Sequence, residues 1–442
     1  MKVLFSNPPW WDSEENGRWR AGVRAGSRWP FTSCIRSTPD CFQYGDYLPY
    51  PFFLGYAASY VAKNSSADVC FRDSIALRES YQSYFNFLEQ GSFDLIFIES
   101  ASPSWSHDAD LILKITQLLP NVRIVVTGPI ASAKADDILR NHPVHACIKG
   151  EYEKGALRVI EGEVGIIEYD FLTVQEMNAA PAPYYDEAHA YRYFDFFQMV
   201  QECFPHLQLW TSRGCPYKCI FCVWPATMTG NDPDGSGVRK VRQYDADSVE
   251  RTIRELVTRF PTFRSVYFDD DTFNLGNQHV KDICGVMKRI GLPWGAMCRS
   301  DSSSFELWEL MRESGCRAVK LGFESGNQEV VDTIVNKRLD LEQASTVVFE
   351  LKRLGFKVHG TFTYGLPGET AGQMQDTKRF IASLPFDTIQ ESGCAAIEGT
   401  PLDTLGRTGH LAGYSGAHMD DAFVHTADGA KKFDQLVRNS TP

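Results

Sequence analysis

The sequence predicts an α/β chain with two parallel-sheet domains in series: a doubly wound, helix-covered sheet, then a partial (β/α)6 barrel and a short C-terminal segment. Two series of strand-like apolar runs alternating with helical patterns predict it, one over residues 1–160 and one over residues 206–398. A stretch rich in proline and aromatic residues, 161–205, separates them. The chain has 442 residues, 43% of them hydrophobic, which is enough for two or three cores.

In the first domain, short apolar runs bounded by turn residues place strands at Val3–Ser6, Val69–Arg72, Leu95–Glu99, Arg123–Thr127 and Ala146–Lys149. Helical spacing of apolar residues places helices at Tyr56–Ala62, Tyr81–Gln90, Asp108–Leu119, Ala135–Asn141 and Tyr152–Glu161. Residues 10–50 break the alternation with a Trp- and Arg-rich insertion that includes Trp10, Trp11, Trp19 and Trp29. Pro181, Pro183 and the aromatic run Tyr184 to Phe197 suggest a connector packed on both domains. Barrel strands follow at Leu207–Thr211, Ser265–Asp269, Trp294–Cys298, Ala318–Phe323, Lys357–Thr363 and Thr388–Ser392. Helices between them are expected at Asp247–Phe260, Gln278–Ile290, Phe305–Ser314, Leu341–Leu354 and Gly372–Ser383. A (β/α) barrel carries its site at the C-terminal ends of its strands. Residues 399–442 form the short extension.

A net charge of −12 argues against nucleic acid as the main partner. No apolar run approaches the ~20 residues of a membrane helix, and Asn7-Pro8-Pro9 interrupts any signal-like start. The expectation is a cytoplasmic protein with a small-molecule substrate and no membrane partner.

The chemistry lies in Gly214-Cys215-Pro-Tyr-Lys-Cys219-Ile-Phe-Cys222. Thiolates suit zinc or an iron–sulfur cluster. A structural zinc site wants four ligands, commonly in two pairs, and no partner pair appears. The other nine of the twelve cysteines are scattered singly. Three thiolates on a four-iron cluster leave one iron open to a substrate or cofactor.

Cys-x-x-x-Cys-x-x-Cys after the first strand of a partial barrel, with Phe221 before the third cysteine, resembles the radical SAM superfamily. The resemblance spans residues 207–397. It implies that Cys215, Cys219 and Cys222 hold a [4Fe–4S] cluster whose open iron chelates S-adenosylmethionine. Reductive cleavage would release a 5′-deoxyadenosyl radical that abstracts hydrogen from the substrate. An electron donor, flavodoxin, ferredoxin or a dedicated reductase, is implied too. Cofactor contacts are expected from Asp269, Asp271, Arg299, Glu324 and the turn Gly365, Pro367 and Glu369. Carboxylates at strand ends also serve to cap the following helices.

The first domain resembles the Rossmann-like cobalamin-binding domain of a subset of that superfamily. The segments that carry this are Asn7-Pro-Pro9, Pro51-Phe-Phe-Leu-Gly55, Ser100–Ser104, Thr127-Gly-Pro-Ile130 and Lys149-Gly-Glu-Tyr-Glu153. Asp-x-His-x-x-Gly is absent, and Thr127, Ile130 and the Trp10–Trp29 insertion are expected to crowd the cofactor edge. Either cobalamin sits there or side chains fill its place.

Two outcomes compete. One is radical dehydration of a polyhydroxylated, sugar-like metabolite, with Glu391, Asp270 and Tyr364 as catalytic groups. The barrel mouth would supply its acids and bases from Asp269, Asp270, Asp271, Glu324, Glu391 and Glu398, with Lys320 and His359. The alternative is cobalamin-dependent methyl transfer to a natural-product intermediate. Missing cobalamin signatures tilt the sequence reading toward dehydration.

Overall fold

A computed structural model describes residues 1–9, 32–38, 41–46, 49–77, 79–102, 104–193 and 203–408. The Trp10–Trp29 insertion therefore lies outside the described residues, apart from the backbone of a hairpin further on, β2 (Thr32–Thr38) and β3 (Cys41–Asp46).

The first sheet is parallel and six-stranded. Its strands are β1 (Lys2–Asn7), β4 (Asp68–Asp73), β5 (Leu95–Glu99), β6 (Arg123–Thr127), β7 (Ala146–Ile148) and β8 (Gly165–Ile167), in the order β4-β1-β5-β6-β7-β8. Helices α1 (Phe52–Asn64), α2 (Tyr81–Gly91), α3 (Trp105–Leu118), α4 (Pro129–Asn141) and α5 (Glu153–Ile160) cover its faces, and a capping box at Thr173 starts the short α6 (Val174–Ala179). Strand β5 is buried along its whole length, as a central parallel strand must be. The sheet runs on to Ile167, past the boundary at 160 that the sequence suggested. Strand β8 has only three residues, two of them half-exposed, and its apolar pair carries too little pattern to be read in advance.

The second sheet is also parallel, with the order β16-β15-β14-β13-β12-β9. Its strands are β9 (His206–Leu209), β12 (Ser265–Phe268), β13 (Trp294–Cys298), β14 (Cys316–Glu324), β15 (Lys357–Tyr364) and β16 (Thr388–Gly393). An antiparallel ribbon of β10 (Ser212–Arg213) and β11 (Arg242–Gln243) flanks the short α7 (Val223–Thr227). Helices α8 (Ala246–Arg259), α9 (Asn277–Ile290), α10 (Phe305–Glu313), α11 (Leu341–Arg353) and α12 (Ala371–Ser383) return between the strands, and α13 (Pro401–Arg407) closes the described chain. Strands in strict sequential order with a helix between neighbours make the expected partial (β/α)6 barrel.

Aromatic packing joins the two halves. Phe52 of α1 stacks on Trp210 at 4.7 Å between centroids, and Phe53 meets both Trp210 and Trp224. The connector packs on both sides, as expected: Tyr185 stacks on Tyr50 at 4.4 Å and its hydroxyl donates to Gln208 O in β9. Ile130 is fully buried in the core of the first domain, and the Thr127 hydroxyl donates to Ile98 O. Neither side chain is left to crowd a ligand at the sheet edge, which corrects the sequence expectation.

Candidate active site

Strand β9 hands the chain directly to the cysteine loop. Gly214 has φ +96°, and a Cβ there would sit 2.3 Å from Lys240 O, so only glycine fits between the ribbon and the loop. Asp271 Oδ2 accepts from Gly214 N at 3.1 Å. Asp270 Oδ1 accepts from Thr211 N and Thr211 Oγ1, each at 3.0 Å, and from Ser212 Oγ at 2.6 Å. The loop's far side is held equally well. Ile220 N donates to Val335 O, Leu402 N donates to Ile220 O, and Arg239 donates to Tyr217 O while pairing with buried Asp232. Lys218 Nζ donates to Gly235 O and Gly237 O.

Cys215, Cys219 and Cys222 all sit on this loop, and none is exposed. Burial pushes the Cys215 thiol up to about 11 and raises Cys219 and Cys222 as well. Among the described residues no three His, Cys, Asp or Glu side chains converge closely enough to hold a single metal ion.

Beside them a mostly apolar cavity of about 290 Å³ opens at the C-terminal ends of the barrel strands. The first domain contributes Pro49, Tyr50, Phe52 and Phe53; the cysteine loop contributes Cys215, Phe221, Cys222 and Trp224. Of the residues expected at the site, Asp269, Asp270, Asp271 and Glu324 line this cavity. Lys320 does too. Glu324, at φ +69°, is clamped by Lys337 Nζ at 2.7 Å and by the Thr363 hydroxyl at 3.2 Å. A non-glycine residue in that region is strained, and such strain gathers at functional sites.

Other expected residues lie elsewhere. Glu391 does not line the cavity: its carboxylate accepts from Tyr364 Oη at 2.6 Å and pairs with Lys378 on α12, on the helix-covered side of the sheet. Strand alternation explains the error, since its neighbours Gln390 and Ser392 are the ones that line the cavity. Tyr364 is wholly buried with Glu391, and burial raises its pKa far above the ordinary value. Arg299 lies over the Tyr217 ring at 3.6 Å and pairs with Asp301 at 2.7 Å, so it braces the cysteine loop from outside the cavity. Gly365, Pro367 and Glu369 form the turn after β15, where Glu369 Oε2 accepts from Leu366 N at 3.1 Å. His359 bonds Thr388, and Glu398 pairs with Lys134 of α4.

Lys337 is the residue that sequence reasoning missed. It follows a one-turn π-helix, Val330–Ile334, and lies between Asn336 and Arg338, both at positive φ. The Asn-Lys-Arg break after a helical pattern was the available signal.

Residues 211–381 match the family model of the radical SAM superfamily, so the chain contains a radical SAM domain. The chain is 27% identical, over 80% of its length and 77% of the relative's, to an uncharacterized methyltransferase of Pyrococcus horikoshii. It is 29% identical to the cytidylyl-2-hydroxyethylphosphonate methyltransferase of Streptomyces wedmorensis over 44% of this chain, but that match spans only 36% of the relative. In fold it is similar to the radical S-adenosylmethionine methyltransferase TsrM of Kitasatospora setae, solved with tryptophan and a SAM analogue. The TM-score is 0.62 at 16% identity, covering 78% of this chain and 72% of that one. A second TsrM structure, with cobalamin and a [4Fe–4S] cluster bound, gives a TM-score of 0.61, covering 80% and 74%. Among the described residues no helix is long and apolar enough to cross a membrane.

Proposed function

Taking residues 211–381 as a radical SAM domain, we propose that this chain is a cobalamin-dependent radical SAM methyltransferase acting on a small molecule. The observation that carries the reading is the shared cavity: the thiol loop of the barrel and the α1 end of the first domain close on the same space. The methyltransferase relatives support it. They support it over dehydration, which also loses its acid now that Glu391 faces α12.

The residues fit the groups this activity requires. The three thiols, gathered on one loop beside the cavity, suit the [4Fe–4S] cluster that supplies the electron for cleaving the sulfonium bond. Asp269, Asp271 and Glu324 give an acidic edge for the ammonium of S-adenosylmethionine, and buried Lys337 a cation near Cys219 for its carboxylate. Tyr50, Phe52, Phe53, Trp210 and Trp224 offer an apolar aromatic wall for a corrin, and Ile130 is tucked into the core away from it. A reductase partner remains part of the proposal.

Anaerobic reconstitution followed by iron, sulfide and corrinoid analysis tests this. Replacing any one of Cys215, Cys219 or Cys222 with Ala should abolish both the cluster and turnover of S-adenosylmethionine. Methyl-labelled methionine should deliver its label to the product. A protein that takes up a cluster but no corrinoid, and whose product is unlabelled, would return the case to dehydration.

A further inference from the structure

We propose that Glu151 and Glu153 of the first domain are positioning residues for the cluster, acting through Arg213 and Arg242. This rests on the reading that the three cysteines hold a cluster. Arg213 and Arg242 face each other as register partners in the β10–β11 ribbon, and Arg213 stands two residues before Cys215. Arg213 Nη1 lies 2.8 Å from Glu153 Oε1 and 3.3 Å from Glu151 Oε2. Arg242 forks onto Glu151, with Nη1 to Oε2 at 3.0 Å and Nη2 to Oε1, and also donates to Leu172 O at 2.6 Å. The side chains of Arg213, Glu151 and Glu153 are each only 1% exposed.

Two guanidinium groups against two carboxylates make a neutral quartet, buried where the domains meet. Such a quartet is a poor adhesive, because desolvating four charges offsets much of their attraction. The neighbouring aromatic stacks already provide apolar adhesion. What the Arg242–Glu151 fork adds is direction, because its two N–H donors meet a carboxylate in one plane only, while Arg213 is held to Glu153 and Glu151 by charge through Nη1. Arg213 also packs against the stacked rings of Tyr56 and Trp210, at 5.0 and 5.2 Å from their centroids. The ribbon is therefore fixed to the start of α5, and Gly214, with no room for a Cβ, passes that placement straight to Cys215. The quartet sets how the cluster is presented to the cavity wall that the first domain supplies.

The test uses the full-length, anaerobically reconstituted protein and its Glu153→Gln and Arg242→Lys variants. Arg242→Lys keeps the charge but loses the fork, and Arg242 is the more exposed partner at 13%, so it serves if Glu153→Gln fails to fold. The expected result is wild-type iron content and circular dichroism, an altered electron paramagnetic resonance signal of the reduced cluster on adding S-adenosylmethionine, and a tenfold or greater fall in its turnover. Variants that fold, hold iron and give the wild-type signal both with and without S-adenosylmethionine overturn the proposal alone. A wild-type protein that takes up no cluster overturns the reading beneath it, and shows this before any variant is made.

Discussion

Asp270 and Glu391 are both buried carboxylates near the ends of barrel strands, yet the fold uses them in opposite ways. Asp270 faces the cavity and gathers three donors from Thr211 and Ser212; burial nevertheless outweighs them and pushes its pKa up to about 7. A carboxyl raised above its ordinary value of 3.8 favours the proton in the folded state. Its ionisation therefore costs nothing below that value, costs progressively more as pH rises, and reaches its full effect above about 7. Asp270→Asn cannot ionise, so its stability relative to wild type should improve from pH 4 to pH 7, by on the order of 3 kcal/mol. Urea unfolding at several pH values checks this; parallel curves for the two proteins would refute it. Strand-end position was legible from the sequence for both acids. Which face each takes was not, because an apolar run gives the alternation but not its phase.

Long elements were legible because each buries an apolar stripe with the expected period. Strand β5 and strand β13 begin and end where the sequence placed them. The β10–β11 ribbon was not legible, since two residues per strand carry no pattern, yet it leads straight into the cysteine loop. Two substitutions separate the loop's role from ordinary helix stability. Gly214→Ala forces a Cβ against Lys240 O and should lower iron uptake to below a tenth of wild type in reconstitution. Asp245→Ala removes the side-chain cap that accepts from Ser248 N at the start of α8. It should cost about 1 kcal/mol in chemical unfolding and leave iron uptake unchanged.

Across the whole molecule, the two sheets are knitted by rings from three parts of the chain: α1, the connector and the cysteine loop. The sequence announced the connector through its aromatic run, but not that Phe52 and Phe53 would meet Trp210. Partners that far apart in the chain are chosen by topology and not by any local signal. Phe53 is 2% exposed, so Phe53→Ala should cost about 3–5 kcal/mol and, by loosening the joint, split one thermal transition into two. Calorimetry reads both effects. The bonds that hold the cysteine loop, from Asp271, Arg239, Val335 and Leu402, run from protein to protein. The cage is therefore preorganised, and the entropy of ordering it belongs to folding and not to cluster insertion. Oxygen that strips the iron should leave an empty but intact cage, so loss of the cluster becomes a reversible event, repaired by iron and sulfide without refolding.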